Sequence, residues 1–256
     1  MKLNKPKFWD IKKPSLLSHL LYPLTIPIQI NNLILKYSKK MKFNKIKSIC
    51  VGNIYVGGTG KTPLAIKLYN ILKKSKKKIV IAKKFYSSQY DEHAVIRKYA
   101  RLLLGKSRLD LINKALKNKY KIIIFDDGLQ EKKIDYHLKF VCFDSLNWIG
   151  NGKILPSGPL RQKLEILREF DAVFLKTIGK ANFKTTKLIK SINPKIKIFH
   201  TNLKIKNFKQ KDLLSKYLIF SSIGDSNSFL NFLKNYKFNV IDQLTYPDHY
   251  KYDQND

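Results

Sequence analysis

Gly57-Gly58-Thr59-Gly60-Lys61-Thr62 has the residue types and spacing to hold a chain of phosphates. Glycines let backbone N–H groups approach phosphate oxygens, and a helix starting there adds the favourable end of its dipole. Lys61 then reaches the β- and γ-phosphates, the Thr62 hydroxyl offers a ligand to Mg²⁺, and the cofactor loop runs on to Pro63. The usual pattern has a glycine five residues before Gly60, where this chain has Tyr55. A loop of this kind needs a carboxylate at the end of a buried strand, aimed at the metal. Lys121-Ile122-Ile123-Ile124-Phe125-Asp126-Asp127-Gly128 supplies two. Either Asp126 or Asp127 is placed to hold the ion or its waters, because ligands gather at the carboxyl ends of strands in open α/β sheets. A glycine-rich turn without a ligand, and an ordinary strand-to-turn Asp pair, are the plainer alternatives.

These groups must be positioned by a parallel sheet with crossover helices, since short apolar runs alternate with helical patterns from Ile46 onward. Strands are expected at Ile46–Val51, Lys78–Ala82, Lys121–Phe125, Lys139–Phe143, Ala172–Leu175, Ile196–Phe199 and Leu218–Ser221. Helices are expected at Lys61–Lys74, Asp91–Leu103, Ser107–Asn118, Asn182–Ser191 and Ser226–Lys234. The fold class is therefore α/β, a P-loop NTPase-like parallel sheet with flanking helices, an amino-terminal membrane-associated helix and a smaller carboxy-terminal lobe. The domains read as a membrane-associated segment at 1–40, the P-loop core at 41–171 and a second lobe at 172–256.

The membrane reading comes from Ser15–Leu35, SLLSHLLYPLTIPIQINNLIL, with Lys12 and Lys13 before it and Lys36, Lys39 and Lys40 after it. Pro23, Pro27 and several polar residues interrupt it, so it falls short of the ~20 apolar residues that a spanning helix needs. An amphipathic helix lying in the bilayer interface, anchored by lysines, fits better; a core helix of the soluble domain is the alternative. Neither is it a signal peptide, as no small-residue cleavage site follows. Cys50 and Cys142 each sit within an apolar run and read as buried thiols of a reduced compartment. The net charge of +33 invites a nucleic-acid reading, but only five of the 51 basic residues are arginine and no recognition module is present. The same charge draws the chain toward an anionic leaflet or a phosphorylated lipid. Of the 18 acids, 11 fall between Asp91 and Asp171, which concentrates carboxylates where chemistry is expected.

Val51–Pro63, VGNIYVGGTGKTP, resembles the signature of the tetraacyldisaccharide 4′-kinases, which act on lipid A precursors in Gram-negative bacteria. Four further blocks resemble that family in the same order: Asp126–Gln130 (DDGLQ), Gly150–Arg161 (GNGKILPSGPLR), Ile223-Gly224-Asp225 and Tyr246–Tyr250 (YPDHY). The amino-terminal FWD…PSLLSHLLYPL is similar to the family's membrane-associated entry segment. The resemblance implies a P-loop kinase using ATP and Mg²⁺. It would pass the γ-phosphate to the 4′-hydroxyl of a lipid A disaccharide 1-phosphate at the cytoplasmic face of the inner membrane. It further implies that Asp91, within Asp91-Glu92, pairs with His249 of Pro247-Asp248-His249 to activate the sugar hydroxyl, alongside Lys61. That chemistry is sound, since a sugar hydroxyl is a poor nucleophile until a positioned base takes its proton. Taken alone, Asp91 reads as a first-turn helix acid and His249 as a loop histidine.

The family's Ser-Arg-Gly-Tyr block after the second strand is replaced by Ala82-Lys83-Lys84-Phe85, and the His that follows DDG-x-Q is Glu131. Arg108 and Arg161 stand where a phosphate contact or a structural ion pair is expected. Relatives continue past the residue matching Asp256, so a fragment or a shortened member is expected. Two other functions remain open on sequence. A P-loop ATPase or GTPase switch would hydrolyse nucleotide without lipid. A non-enzymatic, basic nucleic-acid-binding protein would bind in a salt-sensitive way whether or not Lys61 is present. The oligomeric state is not set by the sequence.

Overall fold

In the computed structural model, which describes residues 5–129, 131, 133–177, 183–205, 209–248, 250 and 252–253, two α-helices follow a short 3-10 turn at Lys7–Trp9. They are α1 (Leu16–Leu20) and α2 (Ile26–Tyr37), separated by a 3-10 turn at Tyr22–Thr25. The single amphipathic helix expected over Ser15–Leu35 is thus broken in two. Pro23 and Pro27 cause the break, because each lacks an N–H to donate and each sits in the opening turn of its element, where none is needed.

The alternation that follows is β1 (Lys47–Gly52), α3 (Lys61–Lys73), β2 (Ile79–Lys84), α4 (Tyr90–Tyr99), β3 (Leu102–Gly105), α5 (Arg108–Lys117) and β4 (Ile122–Asp126). Then come β5 (Leu138–Asp144), β6 (Ala172–Lys176), α6 (Phe183–Ile192), β7 (Lys197–Thr201), β8 (Lys216–Ser221), α7 (Ser226–Asn235) and β9 (Asn239–Thr245). Seven strands form one parallel sheet in the order β3-β2-β4-β1-β5-β6-β7, and β8 and β9 form a separate parallel pair. The boundary drawn at residue 171 runs through the large sheet, because β6 pairs with β5 from Phe140↔Ala172 to Asp144↔Lys176. By topology the division falls between β7 and β8.

The central strands are apolar on both faces because helices cover both. One layer packs Cys50, Val80, Ile123, Phe125 and Phe143 against Leu111, Ile112 and Ala115 of α5 and Ile189 of α6. The other packs Ile49, Val51, Ile81, Ile124 and Cys142 against Ala65 and Tyr69 of α3 and Ile96 of α4. The two cysteines therefore sit in different layers as free, buried thiols, and burial pushes the Cys142 thiol up to about 12.

Two strands lie outside the sequence expectation. The helix expected to run to Leu103 stops at Tyr99, where Ala100 turns extended (φ −152°, ψ 162°) and Leu102–Gly105 joins the sheet edge as β3. The apolar Leu102-Leu103-Leu104 run fits either pattern, and the pairing with β2 decides it. β9 escaped notice because Asn239–Thr245 is polar and largely exposed.

Candidate functional site

β1 delivers the chain to the phosphate-type loop, and the loop is braced from several sides. The Asn53 side-chain amide donates to the carbonyls of Tyr55 (2.5 Å) and Gly57 (3.2 Å). Gly57 and Gly60 adopt φ values of 138° and 84°, conformations that disfavour any side chain. Gly60 is the N-cap of α3, which makes Lys61 and Thr62 its first two residues. Against the outer side of the loop lies the 150–161 block. Val56 N–H donates to Pro159 O (2.9 Å), and Arg161 N–H to Ile54 O (2.7 Å). Tyr55, the departure from the usual glycine, packs its buried ring with Ile154 and Leu160. Its hydroxyl donates to Asp10 (2.5 Å), which Lys5 also pairs at 2.8 Å.

The adjacent aspartates part company at the end of β4. Asp126 is in register with Val51 of β1, and the Thr62 hydroxyl donates to its Oδ2 at 2.8 Å. Asp126 Oδ1 is buried with no hydrogen-bond partner. Asp127 turns into the left-handed region (φ 61°) and faces two arginines. Arg161 approaches its carboxylate at 3.8 Å, and Arg108 donates to its carbonyl at 2.5 Å. Arg108 also pairs with Glu131 (3.9 Å). Thr62 and Asp126 are hard oxygen donors, and an orphaned carboxylate oxygen beside a hydroxyl suits a divalent cation such as Mg²⁺. The residues present fit that ion.

Lys83 completes this side of the site. Its ammonium pairs with Asp126 Oδ2 at 2.9 Å and also with Glu92 of α4. Burial alone lowers the Lys83 pKa, but the two carboxylates more than reverse that and hold it above its ordinary value. Asp91 lies exposed in the first turn of α4, beside Glu92.

The small sheet meets the loop through Gly224. A Cβ there would stand 3.4 Å from the Gly58 amide nitrogen and 3.3 Å from Asp248 Oδ2, so a glycine lets three segments converge. Asp225 caps α7, accepting from Ser228 N–H (3.0 Å), and also accepts from Asn147 (2.5 Å). The Ser228 hydroxyl reaches Asp144, which is paired with Lys176 at 2.7 Å. His249 lies outside the described residues, as does Gln130.

The sequence profile of the tetraacyldisaccharide-1-P 4′-kinases matches residues 16–256. Over its whole length the chain is 46% identical to the tetraacyldisaccharide 4′-kinase of Pelagibacter ubique, covering 81% of that protein. It is 33% identical to the one from Rickettsia canadensis, again covering 81%. The chain belongs to the tetraacyldisaccharide-1-P 4′-kinase family. A crystal structure of LpxK from Aquifex aeolicus in complex with ATP shares the fold, with a TM-score of 0.67 at 21% identity over 93% of this chain and 84% of that one.

Two further features adjoin the phosphate-type loop. A cavity of about 390 Å³ adjoins the loop on the β5–β7 side, away from Asp126, lined by Thr59, Gly60, Pro63, Phe174, Lys176 and Asn202 among others. The amino-terminal helices are latched to the loop's brace. Ser18 and Ser157 each donate a hydroxyl to the other's carbonyl (2.6 Å both ways), and Trp9 Nε1 donates to Pro156 O (3.0 Å). Asn32 donates to Arg161 O at 3.0 Å. Sequence reasoning noticed the Lys83 block only as a departure. The available signal was a lysine directly after the buried run Ile79–Ala82, a place where an ionised group needs a partner.

Proposed function

We propose that this chain transfers the γ-phosphate of ATP to the 4′-hydroxyl of a lipid A disaccharide 1-phosphate. The observation that carries this reading is the meeting of Thr62, at the start of α3, with Asp126, at the end of β4. Residues 64 positions apart thereby converge where a nucleotide's terminal phosphates would lie against the α3 N-terminus. Mg²⁺ held by Thr62 and Asp126 would, when bound, neutralise charge on the phosphates. Lys61 and the loop amides stabilise the charge that moves onto the leaving and transferring oxygens. Of the two aspartates, Asp126 is the metal group, and Asp127 orders Arg161 and Arg108. The nucleoside occupies the cavity beside Phe174, whose volume suits a small ligand. Asp91, oriented by His249, takes the proton from the attacking sugar hydroxyl.

The acceptor arrives from a membrane. Among the described residues no helix is long and apolar enough to cross a bilayer. Yet Leu16, Leu20, Leu24, Ile30, Leu33 and Ile34 are all exposed on α1, α2 and the turn between them, Leu16 by 88% and Leu20 by 75%. Contiguous apolar exposure of this kind, flanked by lysines, suits the headgroup–acyl boundary of the inner membrane's cytoplasmic face in a Gram-negative cell. The latch at Ser18 and Ser157 would hold that surface at a fixed distance from the phosphate loop. The test is transfer of label from γ-labelled ATP to the disaccharide 1-phosphate in mixed micelles. Wild type should label the lipid, and Asp91→Asn should bind nucleotide yet transfer poorly; full transfer by Asp91→Asn would remove it as the base.

A further inference from the structure

We propose that Lys83 is a positioning residue that locks the first turn of α4 onto the metal carboxylate, and so fixes where Asp91 stands. The lysine sits at the end of β2, with its side chain 5% exposed, and bridges two carboxylates from different elements. Asp126 is wholly buried on β4, and Glu92 is one-third exposed in the opening turn of α4. The N-cap of α4, Gln89, makes no capping hydrogen bond of its own, and His93 in the same turn stacks on Phe85 just past β2. The Glu92 tie takes the place of a cap. It sets the helix entry against β4 rather than against its own backbone.

The arrangement has a direct consequence for transfer. Asp126 faces Thr62 with the same oxygen that Lys83 holds, so one ammonium orders the metal group and, through Glu92, the neighbour of Asp91. Without Lys83 two carboxylates near the phosphate loop would face each other uncompensated, and the α4 entry would lose its tie to β4. The loop amides, Lys61 and the cavity beside Phe174 would be untouched. Nucleotide binding should therefore survive while transfer suffers. A displacement of the order of 1 Å in a reacting group costs about 100-fold in rate.

The inference rests on the kinase reading, and its test keeps the two apart. Fluorescent mant-ATP binding in Mg²⁺, together with kcat and the KM for ATP, is measured for Lys83→Met, Lys83→Arg, Glu92→Gln, the Lys83→Met/Glu92→Gln pair and Asp91→Asn. Lys83→Met and Glu92→Gln should bind mant-ATP within about threefold of the parent and lose about 10- to 100-fold in kcat with little change in KM. Lys83→Arg should recover most of the rate, and the double variant should be no slower than Lys83→Met. Parental kcat in Lys83→Met or Glu92→Gln overturns the inference, as does loss of mant-ATP binding in step with kcat. If Lys83→Met fails to fold, Glu92→Gln decides alone, since its side chain is partly in solvent. Slow Asp91→Asn beside fast Lys83→Met and Glu92→Gln removes the inference and leaves the base assignment intact. Fast Asp91→Asn removes that assignment, and the lock is still judged on its own variants.

Discussion

Asp126→Asn changes almost no volume and removes one negative charge, which makes it a clean probe of the site's electrostatics. The lost charge is the inner partner of a buried ion pair, with side-chain exposures of 0% for Asp126 and 5% for Lys83. Removing one member of such a pair costs about 3–5 kcal/mol, because the other is left buried and uncompensated. Here Glu92 still neutralises Lys83, so the lower end, about 3 kcal/mol, is expected. For a chain of this size, about 2–4 °C of melting temperature accompanies each kcal/mol, giving a fall of roughly 6–12 °C. Melting of the apo protein by differential scanning fluorimetry measures it. Adding Lys83→Met to Asp126→Asn should cost less than the sum of the two single effects, because the pair is then wholly absent. A melting temperature within 2 °C of the parent for Asp126→Asn, or additive effects in the double variant, would refute the coupling inferred from the geometry.

Three other outcomes follow from the same structure. His93 is 1% exposed, and its burial, followed by the fields of Lys83 and Arg97, pushes its pKa below the ordinary value. The unfolded chain then binds more protons than the folded one as pH falls through about 6.5, so stability drops there. His93→Phe should flatten that slope in melts between pH 7.5 and 5.5, leaving the part due to His137, whose pKa burial also lowers. Gly60→Ala meets nothing nearer than Lys176 Cδ at 4.0 Å, so its cost is the strain at φ 84°, about 1–2 kcal/mol, readable by urea denaturation along with weaker nucleotide binding. Leu20→Asp with Ile34→Asp should abolish co-flotation with anionic vesicles while leaving the melting temperature within about 2 °C, as surface changes do. Retained flotation would remove the membrane surface from the account.

The parts of the site that were legible in the sequence are those written in contiguous residues. Val51 to Thr62 carries its own strand, loop glycines and helix start, and Ile122–Asp126 carries an apolar run ending in a carboxylate. Both were read to within a residue or two. What escaped was set by pairing across the chain. Lys83 meets Asp126 across 43 residues, Tyr55 meets Asp10 across 45, and Ser18 meets Ser157 across 139. No local period announces such contacts. The two aspartates were indistinguishable in sequence because their different surroundings depend on the backbone at Asp127 swinging into positive φ, with Arg161 3.8 Å from its carboxylate. Strand β3 was absorbed into a helix because three leucines carry no period of their own. The interruption of the amino-terminal helix was written plainly in Pro23 and Pro27.

The most direct test of the account compares wild type with Lys61→Ala. The assay uses γ-labelled ATP, Mg²⁺ and the disaccharide 1-phosphate lipid in detergent micelles, with product resolved by thin-layer chromatography. Label should appear in the lipid for wild type and fall at least about 100-fold for Lys61→Ala, the order expected when one group that stabilises the developing charge is removed. Equal labelling by the two proteins would contradict the assignment of this loop as the phosphoryl-transfer site.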